Sequence, residues 1–174
     1  MQTTGMNYPV IVKELSRNRN VFKELLTGIT KDQYRWKSEA DKWCLLEIIC
    51  HIYDEERDDF RARTAQVLEN PDLPLPSIDP VGWVSGRQYM EQDFDDKLVD
   101  FLEEREKSVE WLKSLSNPKW NNAFKHPKFG PMTANMFLSN WLAHDYLHIR
   151  QITRTKYEYL KEITHEPLKY AGNW

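Results

Sequence analysis

Two histidines four residues apart, His144 and His148, lie in the stretch Met132–Tyr157, which contains neither Gly nor Pro. Its apolar residues fall at Phe137, Leu138, Trp141, Leu142, Ile149 and Ile152, the three-and-four spacing of one helix face. Both histidines share a stripe with Phe137, Trp141 and Ile152. Residues four apart on a helix stand one above the other, about 6 Å apart along the axis. Two imidazoles so placed aim at one point, and the stripe puts that point inside the protein. A third histidine, His51, follows Ile48 and precedes Ile52 on another apolar stripe. Three neutral imidazole nitrogens with one position left open is the ligand pattern of a catalytic zinc site. Imidazole also suits nickel, iron and copper, so the element stays open.

The neighbours of these histidines are sorted by helical geometry. Glu55 lies four residues after His51 on its face, as an acceptor behind a ligand or as an extra ligand. Glu47 shares that face, but its place at a helix start favours capping. Cys50 is adjacent to His51 in sequence yet about 100° around the helix, which makes it a core residue. His126 and His165 fall in connections and receive no role. Binding needs neutral imidazoles, so affinity is expected to fall below about pH 6.

The elements that must position these residues are marked out by Gly and Pro. Seven of the nine prolines fall in the stretches 71–80 and 118–131. Four long segments remain, predicted as helices near 8–27, 44–69, 93–116 and 132–157. The first carries Ile11, Leu15, Phe22, Leu25 and Leu26, with Asn7 as N-cap and Gly28 as terminator. Residues 29–42 read as a polar connection. The second helix opens at Cys44-Leu45-Leu46-Glu47, the spacing of a capping box, and buries Leu45, Ile48, Ile49, Ile52 and Phe60. The third opens at Asp93 or Asp95 and buries Leu98, Phe101, Leu102, Val109, Leu112 and Leu115. Arg105 interrupts that stripe. It would bind an anionic substrate, pair with an internal carboxylate or extend its charged end to water. The long stretch 70–90 holds Trp83 and Tyr89, which would form a pocket lid or pack over one end of the bundle. Together these features predict an all-α four-helix bundle with long connections, a single domain over residues 1–174. Bundles of this kind build metal sites from facing helices.

Composition narrows the function classes. Lys and Arg number 24 against 27 Asp and Glu, a net charge of -3, which argues against a nucleic-acid-binding surface. No apolar run is long enough to span a bilayer. The first six residues, Met1-Gln2-Thr3-Thr4-Gly5-Met6, lack the plan of a signal peptide. Cys44 and Cys50 sit six apart in one predicted helix and point to different sides, so they are expected to stay unpaired, as in a reducing cytoplasm.

The run Lys42-Trp43-Cys44-Leu45-Leu46-Glu47 leading to His51, with His144-Asp145-Tyr146-Leu147-His148-Ile149-Arg150-Gln151-Ile152 far downstream, resembles the DinB superfamily. That group includes damage-inducible DinB-like proteins, YfiT-like metal hydrolases and bacillithiol or mycothiol S-transferases. The resemblance covers residues from about 8 to 157. It implies that His51, His144 and His148 are the metal-binding and catalytic residues, holding zinc or nickel within a four-helix bundle. Relatives often carry Ser or Thr where this chain has Cys44, a difference that touches the helix cap and not the metal. The resemblance further implies an enzyme acting on a small molecule and a homodimer, with the cytoplasm expected from the unpaired cysteines. The expected activity is thiol S-transfer with a low-molecular-weight thiol as cosubstrate. Metal-dependent hydrolysis is the alternative, and a non-catalytic metal-binding or dimerisation bundle is the rival of another class.

Overall fold

The computed structural model describes residues 8–172. Four long helical stretches form the bundle: α1 (Tyr8–Leu26), α3 (Leu45–Asp54) continuing into α4 (Ala62–Glu69), α6 (Phe94–Ser114) and α7 (Ala134–Thr164). Helix α1 packs on α6 and α7, α3 on α6, and α4 on α7. The all-helical bundle expected from the sequence is the fold observed.

Local chemistry sets the helix ends. Gly28 takes a left-handed φ of 73°, the conformation that ends α1 and that a side chain would oppose. The carboxylate of Glu47 accepts from the Cys44 backbone N–H at 2.9 Å, satisfying a first-turn donor of α3. Asp93 accepts from the Asp96 N–H at 3.0 Å and opens α6. Thr133 accepts from the Met136 N–H at 3.0 Å and opens α7. Thr133→Ala is expected to cost about 1 kcal/mol of stability, read as a lower urea midpoint at unchanged slope. Asn7, the expected cap of α1, lies outside the described residues.

Several boundaries differ from the expectation. The connection 29–42 holds a one-turn helix, α2 (Lys31–Arg35), capped by Thr30. The second long helix is α-helical only at its ends. Between α3 and α4 the segment Glu55–Arg61 is a π-helix. Its residues, Glu55-Glu56-Arg57-Asp58-Asp59-Phe60-Arg61, contain one apolar side chain, so no apolar periodicity signals the wider turn. The π register lets Glu55, Glu56, Asp59 and Phe60 all be buried.

The stretch 70–90 folds into α5 (Pro80–Gly86) and a 3-10 turn, Tyr89–Glu91. Of the two roles open to it, packing onto the bundle is the one observed. Tyr89 is buried and donates to Asp54 at 2.6 Å, and the partly buried Trp83 packs against the core. The connection 117–131 contains an antiparallel hairpin, β1 (Ala123–His126) and β2 (Gly130–Thr133), with His126 opposite Gly130. Helix α7 runs seven residues beyond the expected end at Tyr157. Leu160 and Ile163 of that extension are exposed, so no buried stripe announced it.

Candidate metal centre

Helices α3 and α7 bring the three histidines together. The ring centroids of His51 lie 5.3 Å from His144 and 4.9 Å from His148, and those of His144 and His148 lie 4.3 Å apart. One ring nitrogen from each lies within 4.8 Å of the other two. Nε2 of His144 faces Nε2 of His148 at 3.0 Å. His51 and His148 are buried and His144 half-buried. Aromatic rings wall the group: Trp43 stands 4.8 Å from His51 and Phe60 4.9 Å from His144.

Burial makes these imidazoles neutral. Desolvation, and then the neighbouring His148, push His51 down to about 3. Desolvation, followed by His148, His51 and Arg105, push His144 down to about 2. His148 is also lowered by burial, opposed by the Gln151 side chain and by Asp145. The protonation state is thus the one that ligates a cation.

The donor set fits a divalent ion. Bonds of about 2.0–2.1 Å at tetrahedral angles separate two nitrogens by about 3.3 Å, close to the spacing of the His144 and His148 pair. A hydrogen bond between the two neutral rings also fits that spacing. Nδ1 of His51 and Nδ1 of His148 are buried without a hydrogen-bond partner among the described residues, and such orphaned groups are costly. A cation taken at Nδ1 would relieve that cost at His51, while His148, facing its neighbour through Nε2, keeps its Nδ1 unpartnered in either case.

Beside the histidines lies a buried ionic hub that ties all the long helices together. Arg105 of α6 is 1% exposed. Its guanidinium grips Glu56 of the π segment through two bonds of 2.8 Å. It grips Asp145 of α7 through two bonds of 2.7 Å, and donates to the Leu15 carbonyl of α1 at 3.2 Å. All five guanidinium N–H groups are thereby used. The Trp141 indole donates to Glu56 at 2.7 Å and the Asn18 amide to Asp145 at 3.0 Å. Of the roles open to Arg105, pairing with internal carboxylates is the one observed. Asp145 sits between the two histidines of α7 in sequence, so the hub fixes the helix face that presents them.

The remaining sequence candidates are placed elsewhere. Glu55 is not in the three-histidine group. It is buried beside Asp59 and Arg63, and burial and the Asp59 carboxylate push it up to about 8. Cys44 and Cys50 are free and buried, and burial drives the Cys50 thiol up to about 12. Nδ1 of His126 accepts from the Lys128 and Phe129 N–H groups in the hairpin turn. His165 caps the end of α7. Glu56, Asp145, Asn18 and Trp43 were not singled out from the sequence as parts of the site. A carboxylate between two inward-facing histidines was the available signal for Asp145.

Comparisons with known proteins agree with this architecture. The sequence model described as DinB superfamily matches residues 14–152. A solved structure, YfiT from Bacillus subtilis, superposes with a TM-score of 0.76 at 16% identity, covering 89% of this chain and 90% of that one. It is described as a probable metal-dependent hydrolase with an unusual four-helix bundle topology. The likeness shows the bundle fold. No curated protein matches the sequence at a significant level.

Proposed function

This chain belongs to the DinB superfamily, and on that premise we propose that His51, His144 and His148 hold one divalent metal ion, zinc or nickel, at the centre of a catalytic site. The observation that carries the reading is the convergence of three imidazoles from two helices, two buried and one half-buried. Such an ion supplies Lewis acidity, lowering the pKa of a bound water or thiol. The chain's own residues do the rest. The three histidines would hold the ion, Trp43 and Phe60 pack against their flanks, and the hub holds α7 in register. The reaction proposed is thiol S-transfer, with a low-molecular-weight thiol as cosubstrate. The description of YfiT as a metal-dependent hydrolase favours hydrolysis as the second reading. Assaying metal-loaded protein with thiol and electrophile pairs, and separately with hydrolysable esters and amides, distinguishes them. Turnover of neither, alongside a tightly closed site, would leave a non-catalytic bundle.

The proposal treats the chain as one domain and a cytoplasmic homodimer acting on a small molecule. Sedimentation at high micromolar concentration tests the dimer. Among the described residues no helix is long and apolar enough to cross a membrane.

The lowered pKa values revise the pH dependence expected from the sequence. Protons compete for His51 and His144 only near pH 3 and 2, not near 6. The acid response expected first is of the fold. In the unfolded chain these histidines take up protons below about pH 6.5. The folded state does not, so the unfolded state binds more protons and stability falls as pH drops from about 6.5 toward 3. Urea melts of metal-free protein between pH 7 and pH 5 measure this. A His51→Gln, His144→Gln variant should show a flatter dependence; an unchanged slope would contradict the assignment.

A further inference from the structure

The face of α7 that carries His148 continues past it through Gln151 and Glu158, three and ten residues on. These two side chains, with Arg154 and with Glu39, Lys42 and Trp43 from the segment before α3, line an open groove of 590 Å³. That volume lies within the range of small-molecule sites, roughly 300–1,000 Å³.

Two residues join this groove to the histidines. Trp43 lines it, and its ring stands 4.8 Å from that of His51. Gln151 lines it too, three residues on from His148 along α7. None of the three histidines lines the groove itself, so a molecule lying in it meets the centre at Trp43, the side chain that borders both.

The charges of the groove are not spent on one another. Arg154 and Glu158 are one turn apart on α7, yet neither they nor Glu39 form an ion pair among the described residues. Lys42 meets its neighbour Asp41 at 3.5 Å, both side chains well exposed. A second cavity, of 210 Å³, lined by Arg57, Arg87 and Lys97, makes the contrast. There Arg57 is held by Asp58, Arg87 by Asp54 and Asp58, and Lys97 by Asp100. It has cations but none free to take a ligand.

We propose that the groove binds a small zwitterion, a molecule with a carboxylate and an ammonium group on one amino-acid-like head, and presents the remainder to the three histidines. Arg154 takes the carboxylate, and Glu39 and Glu158 take the ammonium. Trp43 covers the apolar part between head and metal. Binding of the head stands on the groove alone; only presentation to the histidines rests on the metal-centre reading.

The test uses three thioethers, none of which has a free thiol to bind a metal as thiolate. S-methyl-L-cysteine carries both charged groups, 2-(methylthio)ethylamine lacks the carboxylate and 3-(methylthio)propanoic acid lacks the ammonium. Each is titrated into the full chain without added metal, with the Trp43 indole resonance as reporter. S-methyl-L-cysteine should bind about tenfold tighter than either truncated compound, one charge-assisted contact being worth about that much. Arg154→Ala should abolish its advantage over the amine, and Glu39→Gln with Glu158→Gln its advantage over the acid. These side chains are exposed or half-buried, so the variants should fold. Equal affinities, insensitivity to the substitutions, or binding that leaves Trp43 unmoved would overturn the proposal. A separate zinc titration keeps the two readings apart. Discrimination without zinc binding upholds the groove and removes the centre, whereas zinc binding without discrimination does the reverse.

Discussion

Arg105→Ala is expected to destabilise the fold by about 3–5 kcal/mol, the cost of removing one partner from a buried charge cluster. The residue is 1% exposed and makes bonds of 2.7–2.8 Å to Glu56 and Asp145. Truncation leaves two carboxylates inside the bundle with no cation between them. Trp141 and Asn18 still donate one bond each to them, which neutral donors cannot make sufficient. The two acids are relieved by taking up protons or by opening the helices to water. The deficit relative to the parent chain should therefore shrink as the pH is lowered, because protonation removes the buried charge. Arg105→Lys should recover only part of the loss, since one ammonium cannot grip two carboxylates in bidentate fashion. Urea unfolding at two pH values measures all of this. A loss below about 1 kcal/mol would mean that the hub is not a determinant of the fold.

His148→Ala is expected to lower metal affinity more than about 100-fold, beyond the 10–100-fold typical of losing a residue behind a ligand. His148 lies nearest both other rings, at 4.9 and 4.3 Å. Its loss leaves two imidazoles and removes the shared point of the triangle. His126→Ala should change nothing in affinity, because His126 already spends Nδ1 on the hairpin turn. Similar effects from both substitutions would point to adventitious surface binding. The same titration on Asp145→Asn separates ligand from positioning residue. It should weaken binding less than His148→Ala, while lowering stability through the hub.

The bundle was legible because Gly and Pro cut the sequence into four segments, each with a buried stripe. His144 and His148 were legible for the same reason, since helical pitch alone sets their spacing. The π segment was hidden because its seven residues hold one apolar side chain and periodicity has nothing to register there. That gap also hid Glu56, which an α-helical reading turns about 100° away from Glu55 without saying which of the two faces Arg105. The sequence marked Arg105 as a cation in an apolar stripe but could not name carboxylates 49 and 40 residues away. For Tyr89 the proline-rich stretch left lid and packing against the bundle both open. It is core because its hydroxyl has a buried acceptor in Asp54.

The central claim is that one ion joins His51, His144 and His148. It is tested most directly by an anomalous difference map from crystals grown with one equivalent of zinc or nickel. The expected result is a single peak per chain, about 2.0–2.2 Å from one nitrogen of each of the three rings. A peak bound elsewhere, or metal taken up stoichiometrically with no density among these rings, would contradict it.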